Sequence, residues 1–348
     1  SYDEHSAKSI ASWRCRDDHV NWRTSLKGKA RVVRRPKIVE VLTFSLSLVG
    51  LILASFMIGE GGERLSRSLG HSFAGGVILG LVTALPETVL VLSALAVGVS
   101  QAAYSSITGA NSMLMTFGTG LLGLVYFGLY KRPIAMKGRY SREVNALLAT
   151  SLITMVYLVL RPLTGADAFR FLVGSVLIAV YVYYVISSHS ETRRGKEKVD
   201  LLGLAMVLAG GSVAVVLSPA FLESLEAVSK ELNIPYPLMV YFLTPIAAEL
   251  EEKLSAYMMI LKSSDNGSLA LYSFVGSKLE NASLLLGLTL LFADASDTLY
   301  LAVLALSNLF GVGVLRDGKL TLLESILGLC LYVLFSFVLA FYSGTSLP

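Results

Sequence analysis

The sequence is poor in charge, poorer in cysteine, and carries no histidine in the interior of its long apolar runs. Asp, Glu, Lys and Arg make up 16% of its 348 residues and hydrophobic residues 54%, against about 25% and about 45–50% in soluble domains. With a mean hydropathy of +0.66, this scarcity excludes a soluble enzyme and a disordered chain. Cys15 lies in a polar tail and Cys330 in an apolar run, which excludes a disulfide scaffold and a cysteine metal site. Asp is missing from the centres of the apolar runs, with Asp200, Asp294 and Asp297 at their edges, and His71 merely opens one run. An intramembrane enzyme built on paired Asp or on His-held metal therefore lacks its residues. The net charge of +4 comes from basic residues flanking apolar spans, a membrane-topology pattern, and no nucleic-acid partner is expected.

What is present is a series of ten apolar segments: 38–59, 71–100, 103–130, 144–160, 168–188, 200–221, 234–261, 268–292, 298–315 and 320–343. Most approach or exceed the ~20 residues that cross a bilayer core. Barrel strands would alternate over about 10 residues, which these runs do not. The fold class expected is an all-α polytopic membrane protein of ten transmembrane helices. Two segments are too long for plain crossings and contain a proline next to acidic residues: 71–100 holds Pro86 and Glu87, and 234–261 holds Pro245, Glu249, Glu251, Glu252 and Lys253. Proline removes a helix hydrogen bond, so helices 2 and 7 should be bent or broken near mid-depth.

The chain also repeats itself. Ala-Leu-Pro-Glu ending at Glu87 is followed by Leu92-Ser93-Ala94, and Ala-Ala-Glu ending at Glu249 by Leu254-Ser255-Ala256, both pairs 162 residues apart. Downstream, Gly109-Ala110-Asn111 answers Gly276-Ser277-Lys278 at a separation of 167. Five spans per half is an odd number, so the halves must lie in opposite orientation, the inverted-repeat plan with a site near the midplane. The expected division is a basic polar tail at 1–37, a first repeat at 38–188 (core about 76–120), a basic linker at 189–199 and a second repeat at 200–348 (core about 238–288). The tail has no signal-peptide pattern. With the N-terminus outside, 14 basic residues of the connecting loops fall in the cytoplasm and 3 outside. Counting the ten basic residues of the tail brings the two sides almost level. The short loops favour a prokaryotic plasma membrane over an organelle.

An ionised carboxylate at mid-bilayer costs several kcal/mol unless paired, hydrated or bound to a cation. Glu87 is the only charged residue between Val77 and Val99, and Glu249 takes the equivalent place in the other half. Two such carboxylates facing each other, with carbonyls freed by bent helices, form a hard-oxygen site suited to Ca²⁺. The same pair can carry protons, because two adjacent empty carboxylates repel. A divalent ion competing with H⁺ or Na⁺ for one site is the basis of antiport. A cation channel could use a Glu pair as well, but kinked inverted repeats fit a transporter better.

At these residues the chain resembles the calcium:cation antiporter superfamily of sodium/calcium and calcium/proton exchangers. The resemblance spans about 45 residues in each half and the ten-span plan. It implies Glu87 and Glu249 as central ligands of a transported Ca²⁺ or similar divalent ion. It further implies Thr83 and its counterpart Thr244 or Pro245, with Asn111, Ser277 and Asn281 completing the set. Pro86, Pro245, Glu252 and Lys278 would modulate it. No cofactor is implied beyond the transported ions. The expected partners are the bilayer and divalent and monovalent cations, with a monomer sufficient. Ala84, Ile246 and Ala110 stand where sodium-coupled members carry hydroxyls, and Leu114 where an amide or acid is expected. Those departures, and Ala-Ala-Glu at Glu249, favour H⁺ over Na⁺ as counter-ion. Lys278 has two readings: an ammonium tethered in the cation site, or a partner of Glu280, Glu252 or Glu251. Glu324 is expected to pair with Lys319, and Tyr181, Tyr183 and Tyr184 to form an interfacial aromatic belt.

Overall fold

The computed structural model describes residues 37–68, 84–136, 141–164, 167–189, 200–293 and 298–345. The tail 1–36, the first half of the second span with Thr83 and His71, most of the 189–199 linker, Asp294 and Asp297 lie outside the described residues. The described chain is helical almost throughout. In order, the helices are α1 (Lys37–Ser68), α2 (Leu85–Ala96), α3 (Ser100–Ser112), α4 (Thr119–Tyr130), α5 (Ser141–Thr164) and α6 (Asp167–His189). There follow α7 (Leu201–Leu232), α8 (Tyr236–Lys262), α9 (Gly267–Glu280), α10 (Leu286–Phe292), α11 (Thr298–Arg316) and α12 (Leu322–Thr345). A π-helical turn, Met113–Gly118, joins α3 to α4, and another, Asn281–Leu285, joins α9 to α10. Each of these pairs is one continuous rod, so the ten expected spans are all represented.

Seven helices, with Ser100–Tyr130 taken as one, are long and apolar enough to cross a membrane. The three spans that fall short do so for physical reasons. The described part of the second forms a helix of only 12 residues, α2. Helix α8 carries Glu249, Glu251, Glu252, Lys253 and Lys262, and the α9–α10 rod carries Lys278 and Glu280. Wide apolar faces on α1, α5, α6, α7 and α12 point outward, with Leu46, Val159, Leu172, Val216 and Phe337 among their exposed residues. That is the surface a bilayer solvates. The interior is built from α3, α8, α9–α10 and α11. Helix α3 is buried from Ala102 to Ser112, a run of small residues that lets neighbours approach on every side.

Local chemistry sets the boundaries. Asp200 caps α7 by accepting hydrogen bonds from Leu202 N (2.9 Å) and Gly203 N (3.1 Å). Gly98, at φ 75°, makes the turn between α2 and α3 in a backbone region closed to most residues. Glu324 accepts from Thr321 N at 2.8 Å and Thr321 Oγ1 at 2.7 Å, a reciprocal cap at the start of α12 in place of the expected pairing with Lys319. Ile134–Ala135 pairs antiparallel with Lys319–Leu320, a two-residue clip between the halves.

Helix α8 is not broken at Pro245; it runs unbroken from Tyr236 to Lys262. The proline has no N–H for the carbonyl four residues earlier, that of Tyr241. Gly109 of α3 packs directly against this carbonyl. Of the two outcomes expected for the seventh span, the helix is not interrupted, and the carbonyl freed by the proline is covered by Gly109.

Candidate functional site

Glu87 stands in the first turn of α2, just after Pro86, where the helix N-terminus favours negative charge. The same face continues through Leu90, Val91 and Ala94, all buried, which turns Glu87 inward. On α8, Glu249 and Lys253 are four residues apart on the face continued by Ala256 and Ile260. Ser55 of α1 anchors this stretch, its hydroxyl donating to the Ala248 carbonyl at 2.9 Å. Helix α9 presents Lys278, and Asn281, three residues on, opens the π turn. Added residues in a helical turn are frequent at functional sites, and here both rods carry one shortly after the repeated glycine.

These side chains converge. Lys278 Nζ donates to Glu249 Oε1 and lies 3.8 Å from Glu87 Oε2. Lys253 Nζ donates to Glu249 Oε2 at 3.1 Å and to the Pro245 carbonyl at 3.0 Å. Asn281 Nδ2 donates to Glu87 Oε2 at 2.5 Å. Glu87, Glu249 and Lys278 are all nearly or fully withdrawn from the surface, at 2%, 4% and 0% exposure. An unpaired ion at such depth costs several kcal/mol; here two carboxylates and two ammonium groups offset one another. Both oxygens of Glu249 are engaged, whereas Glu87 Oε1 and Asn281 Oδ1 are buried without a hydrogen-bond partner among the described residues.

The structure therefore brings together four of the residues singled out from sequence: Glu87, Glu249, Lys278 and Asn281. Pro86 and Pro245 are buried in the helices that carry the two carboxylates. Ser277 is buried on α9 beside Lys278. Others turn to their own helices: Thr244 Oγ1 donates to Val240 O at 2.7 Å, and Asn111 Nδ2 to Ile107 O at 3.2 Å. Glu252 is half-buried one turn beyond Glu249, and Glu251 lies instead against Gly59 of α1. Lys253 joins the site without having been among its expected residues; its spacing of four from Glu249 is the signal in the sequence that places it on the same face. Tyr181 departs from the expected interfacial belt, because it is buried and its hydroxyl donates to Glu280 at 3.2 Å. Tyr181→Phe should leave Glu280 a buried acceptor short of its donor, costing about 1–3 kcal/mol. A lowered unfolding temperature in detergent would register that loss.

Two segments of the chain, 39–188 and 202–341, match the family described as sodium/calcium exchanger protein. The chain belongs to this family. The two matched segments of the exchanger correspond to its two sets of five spans. Its fold is shared with solved structures of low sequence identity. The H⁺/Ca²⁺ exchanger CAX superposes with a TM-score of 0.72 at 21% identity, covering 94% of this chain and 89% of that one. For native YfkE the TM-score is 0.70 at 17% identity, covering 88% and 96%. For the sodium–calcium exchanger NCX_Mj it is 0.61 at 21% identity, covering 86% and 98%. No curated protein sequence matches the exchanger.

Proposed function

We propose that this exchanger is a secondary active antiporter that moves Ca²⁺ or a similar divalent cation against H⁺ by alternating access around Glu87 and Glu249. The observation that carries this reading is the meeting of one buried carboxylate from each half, with one oxygen of Glu87 unpartnered among the described residues. Oxygen ligands of this kind suit a hard divalent ion, and the same carboxylate can take a proton when the ion leaves. The preference for H⁺ rests on the residues. Ala84, Ile246 and Ala110 offer no hydroxyl, and that of Thr244 is committed to its own helix. The reading extends to a plasma-membrane protein with its N-terminus outside and its two repeats separated by 189–199.

⁴⁵Ca²⁺ uptake into sealed proteoliposomes tests it, with an outward H⁺ gradient in one arm and an outward Na⁺ gradient in the other. Uptake driven by H⁺ and not by Na⁺ is expected. Uptake driven by Na⁺ alone overturns the coupling and makes Ser277 with backbone carbonyls sufficient for Na⁺. Uptake under neither gradient overturns Ca²⁺ as the substrate.

A further inference from the structure

We propose that Lys253 and Lys278 are tethered competitors for the cation site, whose ammonium groups hold the carboxylate oxygens against monovalent ions and yield them only to a divalent one. The inference rests on the antiport reading above and names the residues that decide which cations enter. Lys278 Nζ, coming from α9, donates to Glu249 Oε1 and stands 3.8 Å from Glu87 Oε2, so it bridges the two carboxylates where a shared ion would lie. Lys253 Nζ, coming from α8 itself, takes the other oxygen of Glu249 at 3.1 Å together with the Pro245 carbonyl at 3.0 Å. Three of the four carboxylate oxygens thus face an ammonium group. The two acids are matched one for one by the two lysines, and all four side chains are buried. Both ammonium groups belong to the second repeat alone: at the two repeat separations, Lys253 answers to Val91 and Lys278 to Asn111.

What these groups exclude follows from charge. A monovalent ion that displaces an ammonium brings the same single charge to the same oxygens, so the attraction is unchanged. It also gives up its water and its freedom in solution, whereas a tethered group has little freedom left to lose. Na⁺ therefore loses the contest at Glu249. A divalent ion doubles the attraction to each carboxylate, and Ca²⁺ takes about 6–8 oxygens, enough to draw on both acids at once. The displaced ammonium groups have carboxylates to turn to. Glu252 on α8 lies within electrostatic reach of both lysines. Glu280 on α9, which accepts from the Tyr181 hydroxyl at 3.2 Å, lies within reach of Lys278. Both lysines keep their charge throughout, so no proton takes part in this selection. Ala84, Ile246 and Ala110 deny Na⁺ hydroxyl ligands; the lysines deny it the carboxylates as well.

The test is the Ca²⁺ concentration that half-maximally raises the unfolding temperature of the full chain in detergent, at one pH, in NaCl and in N-methylglucamine chloride of equal ionic strength. Equal ionic strength fixes the screening, so a difference between the salts reports Na⁺ at the site. For the wild type the midpoint is expected to be the same in both. Lys278→Met and Lys253→Met each keep most of the apolar stem and remove the ammonium, and each should lower the midpoint about tenfold in N-methylglucamine chloride. In NaCl that gain should be largely lost, because Na⁺ now competes. Lys253→Arg, which keeps the charge, should stay blind to Na⁺. A lysine with a merely structural role would weaken Ca²⁺ binding on removal, not strengthen it. Methionine variants whose midpoint is unchanged or raised, or whose gain survives in NaCl, overturn the inference. A wild-type midpoint raised severalfold by NaCl overturns it as well, even if neither methionine variant folds. Absence of any Ca²⁺-dependent shift in the wild type and in every variant instead overturns the divalent-cation reading, and the inference with it.

Discussion

Glu87→Gln is expected to fold and not to transport, whereas Glu249→Gln is expected to lose transport and much of its stability together. Glutamine keeps the shape of either side chain, so the difference lies in the partners left behind. At position 87 the amide oxygen can still accept from Asn281 Nδ2, and Lys278 keeps its bond to Glu249. Only the charge that would hold a divalent ion or a proton is gone, and ⁴⁵Ca²⁺ uptake should fall to that of protein-free vesicles. At position 249 the change strands two ammonium groups, Lys253 and Lys278, both buried. Removing one partner of a buried ion pair costs about 3–5 kcal/mol, because the remaining charge is left uncompensated. The double variant Glu249→Gln with Lys278→Gln removes one negative and one positive charge, and should recover much of the unfolding temperature without recovering uptake. Equal unfolding temperatures for Glu87→Gln and Glu249→Gln would show that the lysines do not depend on Glu249.

Much of this architecture was legible because charge inside an apolar run is costly and therefore conspicuous. Glu87, alone in its stretch, and Glu249, at the repeated position of the other half, needed no structure to be set apart. The ten rods follow from run lengths that only helices can satisfy in a bilayer. What could not be read was which helix each side chain would meet. Helical spacing puts Lys278 and Asn281 on one face, but says nothing of whether that face meets Glu249, Glu252 or Glu251 across the gap. Tyr181 likewise looked interfacial from its place near a span end, and only the packing of α6 against the α9–α10 rod brings it to Glu280. The π turns have no residue signature of their own: one begins at Met113 and the other at Asn281. The proline in α8 was visible, but its effect was not. The helix continues past the proline, and a neighbouring glycine packs over the freed carbonyl.

That glycine sets the second large effect: Gly109→Ala should cost about 3 kcal/mol or more and sharply reduce the yield of folded protein. A Cβ at position 109 would lie 2.8 Å from the Tyr241 carbonyl carbon and 2.9 Å from its Cα, and closer still to the carbonyl oxygen. These are backbone atoms in the middle of α8, which cannot swing aside as a side-chain terminus can. Overpacking of a tight core ordinarily costs about 1–3 kcal/mol. Here relief requires α3 to move away from α8, and α3 is also tied to α11 by the Thr108 hydroxyl, which donates to the Tyr300 carbonyl at 3.1 Å. The displacement would reach the site, because α8 holds Glu249 one turn beyond Pro245. Gly211→Ala and Gly313→Ala supply the contrast. No described atom lies within 4 Å of a Cβ at either position, and replacing a helical glycine by alanine gains about 0.5–1 kcal/mol. Gly210, one residue from Gly211 but pressed on the Ala54 carbonyl of α1, should behave like Gly109 and not like its neighbour. Unfolding temperatures that rank the variants by helix propensity alone, with Gly109→Ala as stable as Gly211→Ala, would mean that the α3–α8 contact is looser than the backbone distances require.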